Sequence, residues 1–300
     1  MSTRRVYNYE MTKAFKRNPS VLAMEGLGNQ LFQFTMGHHL ARQSEGQAYL
    51  LTPFTPWRTG DRPFALTPLM KNCSHLRLGF DTRFRALRGV ERFNSIIASR
   101  AGFTLPLFRI RLSSIDYSDV PKRYIKRMVA TGFYLDFAFA KEELEAVLDE
   151  LRDTLIVFTC PPEITVPYGV IHVRRGDFDL INFGRLSTAY FKKALLVMPL
   201  LSQVVIVTDD PNQVGELASE LKVSSIYGPK QLGSMETLAL MSRANFVIGS
   251  NSTFSWWGAA LCCFNGGTSI LPNRWFRSRD LPVSNLPEFD LILAEPIWQD

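Results

Sequence analysis

Gly169-Val170-Ile171-His172-Val173-Arg174-Arg175-Gly176-Asp177 is the stretch whose reading decides the fold class. A short apolar run ends abruptly in a charged cluster, as expected of a buried strand that emerges at the edge of a sheet. The pattern recurs downstream. Val204-Val205-Ile206-Val207 runs into Thr208-Asp209-Asp210-Pro211, and Phe246-Val247-Ile248 runs into Gly249-Ser250-Asn251-Ser252-Thr253-Phe254-Ser255-Trp256-Trp257. Further strands are predicted over 225–227 and 269–271, and helices over 189–198, 211–221, 235–243 and 254–263. In the second helix Val214, Leu217, Ala218 and Leu221 share one face. Strands alternating with short helices predict a parallel sheet covered on both faces. Ligands of such sheets bind beyond the carboxyl ends of the strands. All three polar clusters are therefore expected at one edge.

The first half repeats the theme less regularly. Val21-Leu22-Ala23-Met24 reads as a buried strand, and Gly26-Leu27-Gly28-Asn29 as the loop that leads into a helix over 30–45. Strands are predicted over 47–51 and 129–133, and a helix over 141–152. That helix carries an apolar stripe of Leu144, Val147, Leu148 and Leu151. The segment 53–127 is rich in arginine, aromatics and proline and reads as short helices and loops. Pro161, Pro162 and Pro167 interrupt the pattern and mark the expected boundary between halves.

Composition narrows the class. The chain has 300 residues, 46% hydrophobic and 21% charged, enough for one large or two ordinary domains. No apolar stretch approaches the roughly 18 residues of a membrane span, and the run 256–264 reads as a buried helix. The basic start, 1–20, lacks the apolar segment of a secretory signal. Cys73, Cys160, Cys262 and Cys263 show no CxxC spacing, so neither a disulfide framework nor a zinc site is expected from spacing, and a reducing compartment is. The sequons at Asn72 and Asn251 are read as chance matches. The net charge of +6 suits an anionic substrate, an anionic membrane surface or nucleic acid. No nucleic-acid motif accompanies the arginines, which argues against the last.

The clusters suggest their chemistry. Arg174 and Arg175 offer planar donors suited to phosphate, or a structural ion pair with Asp177 or a neighbour. Ser250, Asn251, Ser252 and Thr253 begin a helix, where backbone N–H groups bind anions and where Ser252 or Ser250 can serve as the cap. One of Asp209 and Asp210 is expected to cap the helix that Pro211 opens, leaving the other for a ribose or base. Gly26-Leu27-Gly28 lacks the third glycine of a dinucleotide fingerprint and the lysine of a P-loop. Its glycines read equally as a tight turn, and Asn29 as a helix cap.

Three motifs carry a resemblance. Gly26-Leu27-Gly28-Asn29-Gln30-Leu31-Phe32-Gln33-Phe34, His172-Val173-Arg174-Arg175-Gly176-Asp177-Phe178 and Ser250-Asn251-Ser252-Thr253-Phe254-Ser255-Trp256-Trp257-Gly258-Ala259 resemble, in order, the alpha-1,2-fucosyltransferases of glycosyltransferase family 11. Glu25 stands where a glycine is common in that family and Phe34 where a tyrosine is. The resemblance implies an α/β chain of the GT-B type, two Rossmann-like domains facing across a cleft. A basic extension would occupy 1–20, an acceptor-side domain 21–165, a GDP-fucose-binding domain 166–280 and a tail 281–300.

The same resemblance implies an inverting, metal-independent transfer of L-fucose from GDP-beta-L-fucose to a galactoside hydroxyl in alpha-1,2 linkage, in glycan or polysaccharide synthesis, with no cofactor. Arg174, Asp177 and Asn29 are the expected catalytic residues. Gly28, His172, Arg175, Asp209, Asp210, Ser250, Asn251, Ser252 and Thr253 are the expected donor-binding residues. As general base, Asp177, His38, His39 and Glu25 remain open. Asp177-Phe178-Asp179 spells a DxD, but adjacent arginines already supply countercharge, and no metal is expected there. The partners implied are GDP-fucose and a galactose-containing, lipid-linked acceptor, and no nucleic acid. The expected location is cytoplasmic, peripheral at the inner face of an anionic membrane. The alternative is a transferase of the same fold with another nucleotide sugar or linkage.

Overall fold

A computed structural model describes residues 18–52, 63–80, 110–112, 129–131, 141–176, 184–277 and 291–299. Asp177 lies outside them, as do Phe178 and Asp179. The chain forms two compact units, 1–150 and 151–300.

The first unit holds a parallel sheet of five strands: β1 (Ser20–Leu22), β2 (Ala48–Thr52), β3 (Leu76–Phe80), β4 (Ile110–Leu112) and β5 (Val129–Thr131). Their order is β3-β2-β1-β5-β4, with Val21 beside Leu50 and Leu50 beside Leu78. Helix α1 (Leu27–Gln43) follows the central strand, and a short α2 (Thr67–Met70) precedes β3. Leu31, Phe32, Phe34 and Met36 of α1 are wholly buried. So are Gln30 and Gln33, which burial permits only with hydrogen bonds. Gln33 Oε1 accepts from Met24 N at 2.8 Å, while Gln30 Nε2 donates to the carbonyls of Glu25 (2.7 Å) and Pro63 (3.1 Å). The glutamines of the first motif thus pin the loop ahead of α1.

The second unit holds six parallel strands: β6 (Tyr168–Val173), β7 (Gln203–Thr208), β8 (Ser225–Tyr227), β9 (Phe246–Ile248), β10 (Thr268–Pro272) and β11 (Leu291–Ala294). Their order is β11-β10-β9-β6-β7-β8. The chain starts in the middle, at β6, builds outward to β8, then returns to β9 on the other side of β6. That is the doubly wound Rossmann order, and its topological switch point lies between β6 and β9.

Helix α3 (Lys141–Leu155) leads into this unit, where α4 (Thr188–Leu195), α5 (Gly215–Leu221), α6 (Ser234–Ser242) and α7 (Thr253–Phe264) cover the sheet. On one face Tyr190, Phe191, Val214 and Leu217 pack with Ile171 and Ile206. On the other, α7 is apolar on every side and wholly enclosed from Ser255 to Cys263, as an apolar helix must be in water. Gly258 lets α7 approach α6, since a Cβ there would sit 2.1 Å from Met241 Cε. Among the described residues no helix is long and apolar enough to cross a membrane.

Three strands went unseen in the sequence. β3 and β4 lie in the arginine-rich segment, where Arg77 and Arg111 break the apolar run, and β11 lies in the stretch expected to be a tail. β11 is an edge strand, paired with β10 through Ile270 and Ile292. The two compact units divide inside α3, about ten residues before the prolines at 161–167. The end of that helix is anchored from the second unit: Arg243 donates to the carbonyls of Leu155 and Phe158, each at 2.6 Å. An arginine fork is well matched to the unpaired carbonyls of a helix C-terminus.

Candidate active site

The carboxyl ends of β6, β7 and β9 bring one cluster together in the second unit. Val173, the last residue of β6, is followed by Arg174, half-buried, and Arg175, buried. The two point to different partners. Arg175 Nη1 donates to the Leu186 carbonyl at 3.0 Å, so its guanidinium is part of the interior. Arg174 Nη1 meets Asp209 Oδ2 at 2.9 Å, beyond the end of β7. Asp209 also accepts from the backbone N–H groups of Arg175 (2.8 Å) and Gly176 (3.0 Å). Its carboxylate is a clip between adjacent strand ends. A Cβ on Gly176 would fall 2.6 Å from Asp209 Oδ2, which is the reason for glycine at that step of the motif.

Asp210 is the capping member of the pair. Its carboxylate accepts from Asn212 N (3.1 Å) and Gln213 Nε2 (2.6 Å) and closes the 3-10 turn Pro211–Gln213. Both aspartates are therefore engaged within the protein. Asp209 acts on Arg174 and on the motif backbone rather than standing open to a ribose.

The third polar run continues the edge across the switch point. Ser250 Oγ accepts from Arg174 N and donates to the His172 carbonyl, both at 3.0 Å, tying the β9 loop to β6. Ser252 caps α7, its Oγ accepting from Phe254 N at 3.3 Å. Among the described residues the N–H groups of Thr253 and Ser255 have no hydrogen-bond partner. The cap leaves donors open to an anion, since the first turn of a helix has more donors than one cap can satisfy. Asn251 is buried, and its Nδ2 donates to the carbonyls of Gly184 (3.1 Å) and Trp275 (2.9 Å). It fastens neighbouring loops.

His172 lies beneath this edge. Its Nδ1 is 2.6 Å from Ser255 Oγ, which also accepts from Ser250 N at 3.1 Å. Burial pushes the imidazole down to about 4; Asp209 pulls it up and Arg174 pushes it further down. The ring is neutral at pH 7. Ser255 Oγ and the neutral ring share one hydrogen bond, and the ring's tautomer decides which of them donates. Ser255 is the member of the cluster that the sequence reading left without a role.

In the first unit, Gly28 and Asn29 sit in the first turn of α1, at the carboxyl end of β1. Gly26, not Asn29, is the N-cap, and no side chain caps the helix. Asn29 is half-buried, and its side chain has no hydrogen-bond partner among the described residues. Glu25, φ 65°, holds the left-handed conformation just before it, which accounts for glycine being favoured at this step. His38 and His39, weighed as bases, lie in α1 within 3.5 Å of the carboxylates of Glu150 and Glu143 respectively.

No family model matches the chain. It is 48% identical over 279 residues to the alpha-1,2-colitosyltransferase of Escherichia coli, an alignment covering 85% of this chain and 91% of that protein. The chain belongs to that family of glycosyltransferases. A stretch of 116 residues is 31% identical to the O-antigen biosynthesis glycosyltransferase WbnK of Escherichia coli, spanning 35% of this chain and 38% of that protein's length. Among solved structures, a mutant of Arabidopsis thaliana FUT1 in complex with GDP matches with a TM-score of 0.50 at 13% identity, over 93% of this chain and 76% of that one. That likeness concerns the fold, which is GT-B. A glycosyltransferase has to hold an activated sugar and stabilise its leaving group. The β6–β9 edge, which carries a clipped arginine after one strand and open helix N–H groups after the next, has the chemistry for a phosphate.

Proposed function

We propose that this glycosyltransferase moves a 6-deoxy sugar of the fucose type from its GDP ester to a galactoside hydroxyl, in alpha-1,2 linkage and with inversion, as in glycosyltransferase family 11. The observation that carries the proposal is Arg174, fixed by Asp209 at the end of β6, on the same sheet edge as the unpartnered N–H groups of Thr253 and Ser255 that follow β9. Departure of GDP builds negative charge on the β-phosphate, and preorganised donors at that point lower the barrier without a metal in the reaction. In this reading Arg174, Ser252 and Thr253 take the pyrophosphate. His172, Arg175, Asp209, Asp210, Ser250 and Asn251 shape the site through their protein contacts. Asn29 and Gly28 are assigned to the sugar or β-phosphate by the family resemblance, and Asp177 to the acceptor hydroxyl. No cofactor is required.

The donor admits a second reading, supported by the relative's name: colitose, which is L-fucose without its 3-hydroxyl. A site that hydrogen-bonds that hydroxyl rejects the sugar lacking it by roughly 10⁴-fold, whereas an apolar site discriminates by only about 10²-fold. The test is kcat/KM with GDP-fucose, GDP-colitose, GDP-mannose and UDP-galactose over a panel of galactosides, with linkage analysis of the product. Turnover confined to one of the first two donors, with an alpha-1,2 product, supports the proposal. Preference for GDP-mannose or UDP-galactose, or another linkage, overturns it.

We also propose a lipid-linked acceptor met at an anionic membrane surface. The charge of +6 supports this, as do exposed Leu196, Val197 and Leu200 beside Lys192 and Lys193. Equal partition onto neutral and anionic vesicles would remove that part.

A further inference from the structure

A second cluster of chemically active side chains lies in the first unit, on residues the donor site does not use. His38 comes from α1, Cys73 and His75 from the turn between α2 and β3, and Glu150 from α3. One ligand atom each of His38, His75 and Glu150 lie within 4.8 Å of one another. His38 Nε2 is 3.5 Å from Glu150 Oε2 and 3.6 Å from Cys73 Sγ. His38 and Cys73 are buried, and Phe34 packs on the His38 ring with centroids 4.6 Å apart.

Glu150 Oε2 is the anomaly. It is buried and has no hydrogen-bond partner among the described residues. Its neighbour is His38 Nε2 at 3.5 Å, an ion-pair contact too long for a good hydrogen bond, which leaves the oxygen under-satisfied. The spacing does suit a shared cation. Zinc binds imidazole nitrogen at about 2.0–2.1 Å, carboxylate oxygen at about 2.0–2.2 Å and thiolate sulfur at about 2.3 Å. A tetrahedron with those bonds has a nitrogen-to-oxygen edge of about 3.4 Å and a nitrogen-to-sulfur edge of about 3.5 Å. The two distances around His38 Nε2 match these edges, while Cys73 Sγ stands beside His38 but outside the set whose ligand atoms all lie within 4.8 Å of one another, so it completes the tetrahedron only by turning toward the other two. His75 Nδ1 lies 2.9 Å from Ser74 Oγ, the kind of outer partner that orients a ligating imidazole.

We propose that His38, His75 and Glu150 bind one zinc-class divalent ion, with the Cys73 thiolate as fourth ligand. Two imidazoles, a carboxylate and a thiolate select zinc over magnesium or calcium, which take oxygen ligands. The two anionic ligands neutralise the ion, so it can be buried. Four protein ligands leave no open position, which makes the site structural: it fastens α1, the turn before β3 and α3 to one another.

The experiment uses the full chain purified without chelator. About one zinc per chain is expected by elemental analysis. Chelation should lower Tm, and zinc should restore it. Cobalt in place of zinc should give the visible absorption of a tetrahedral site with a thiolate charge-transfer band. His75 is exposed, so His75→Ala should fold and lose at least about tenfold in cobalt affinity. Glu150→Gln should behave likewise, and Cys73→Ser should lose the charge-transfer band. A folded chain that carries no zinc and takes up no cobalt overturns the proposal. So does unchanged affinity in both His75→Ala and Glu150→Gln, and an unchanged spectrum in Cys73→Ser removes the thiolate from the set.

Discussion

Replacing Asp209 by Asn tests the clip at the candidate site with the least change of shape. Oδ1 would still accept from Arg175 N, but an amide NH₂ would replace Oδ2 and face two donors, Gly176 N and Arg174 Nη1. The lost charge-assisted bond contributes roughly 1.5–3 kcal/mol, and an unpaired N–H costs about 1 kcal/mol. Both figures shrink because the Arg174 and Asp209 side chains keep 13% and 18% of their exposure and Gly176 is open to water. A net loss of about 2 kcal/mol is expected, or about 4–8 °C in Tm for a unit of this size.

The effect on transfer should be distinct. Arg174 keeps its charge but loses its fixed direction, so kcat/KM should fall about tenfold, against roughly 10²–10³-fold on removing a preorganised donor. Thermal denaturation by circular dichroism and initial rates of transfer measure the two effects. In an Arg174→Ala background the substitution should cost stability and almost no further activity, because its effect on rate runs through the arginine. A variant within about 1 °C and about twofold of the parent would refute the reasoning. So would a full tenfold loss in the Arg174→Ala background.

Arg174→Ala itself should lower kcat/KM by at least about 10²-fold with an unchanged circular dichroism spectrum; near-normal rates would remove Arg174 from the site. Ser250→Ala, which deletes both bonds tying the β9 loop to β6, should cost about 1–2 kcal/mol in urea denaturation. His172 should shape the acid limb of stability. Its folded value, about 4, lies below the ordinary 6.5, so the unfolded chain binds more protons between those values. Stability is then full above about pH 6.5 and declines as pH falls toward 4, by roughly 3 kcal/mol in all. Urea midpoints across that range should flatten in His172→Gln, and an unaltered slope would contradict the neutral buried ring.

Most of the second sheet was legible because its strands are buried on both faces and read as unbroken apolar runs. Val204 to Val207 cannot be mistaken, whereas β3 alternates with Arg77 and the short edge strand β11 carries little signal. The site was legible as a set of strand-end clusters. What each member does was not, because partners such as Asp209 and Arg174 are far apart in sequence and meet only when β7 pairs with β6. The same holds for His38, Cys73, His75 and Glu150. No spacing rule joins them, and only the packing of α1, the turn before β3 and α3 places them together.

The central claim is a nucleotide-sugar site at the β6–β9 edge. Isothermal titration of GDP into the full chain, without added divalent cation, tests it most directly. One GDP per chain is expected, with affinity at least about 100-fold weaker in Arg174→Ala. No binding of GDP, or equal binding by parent and variant, would contradict the account.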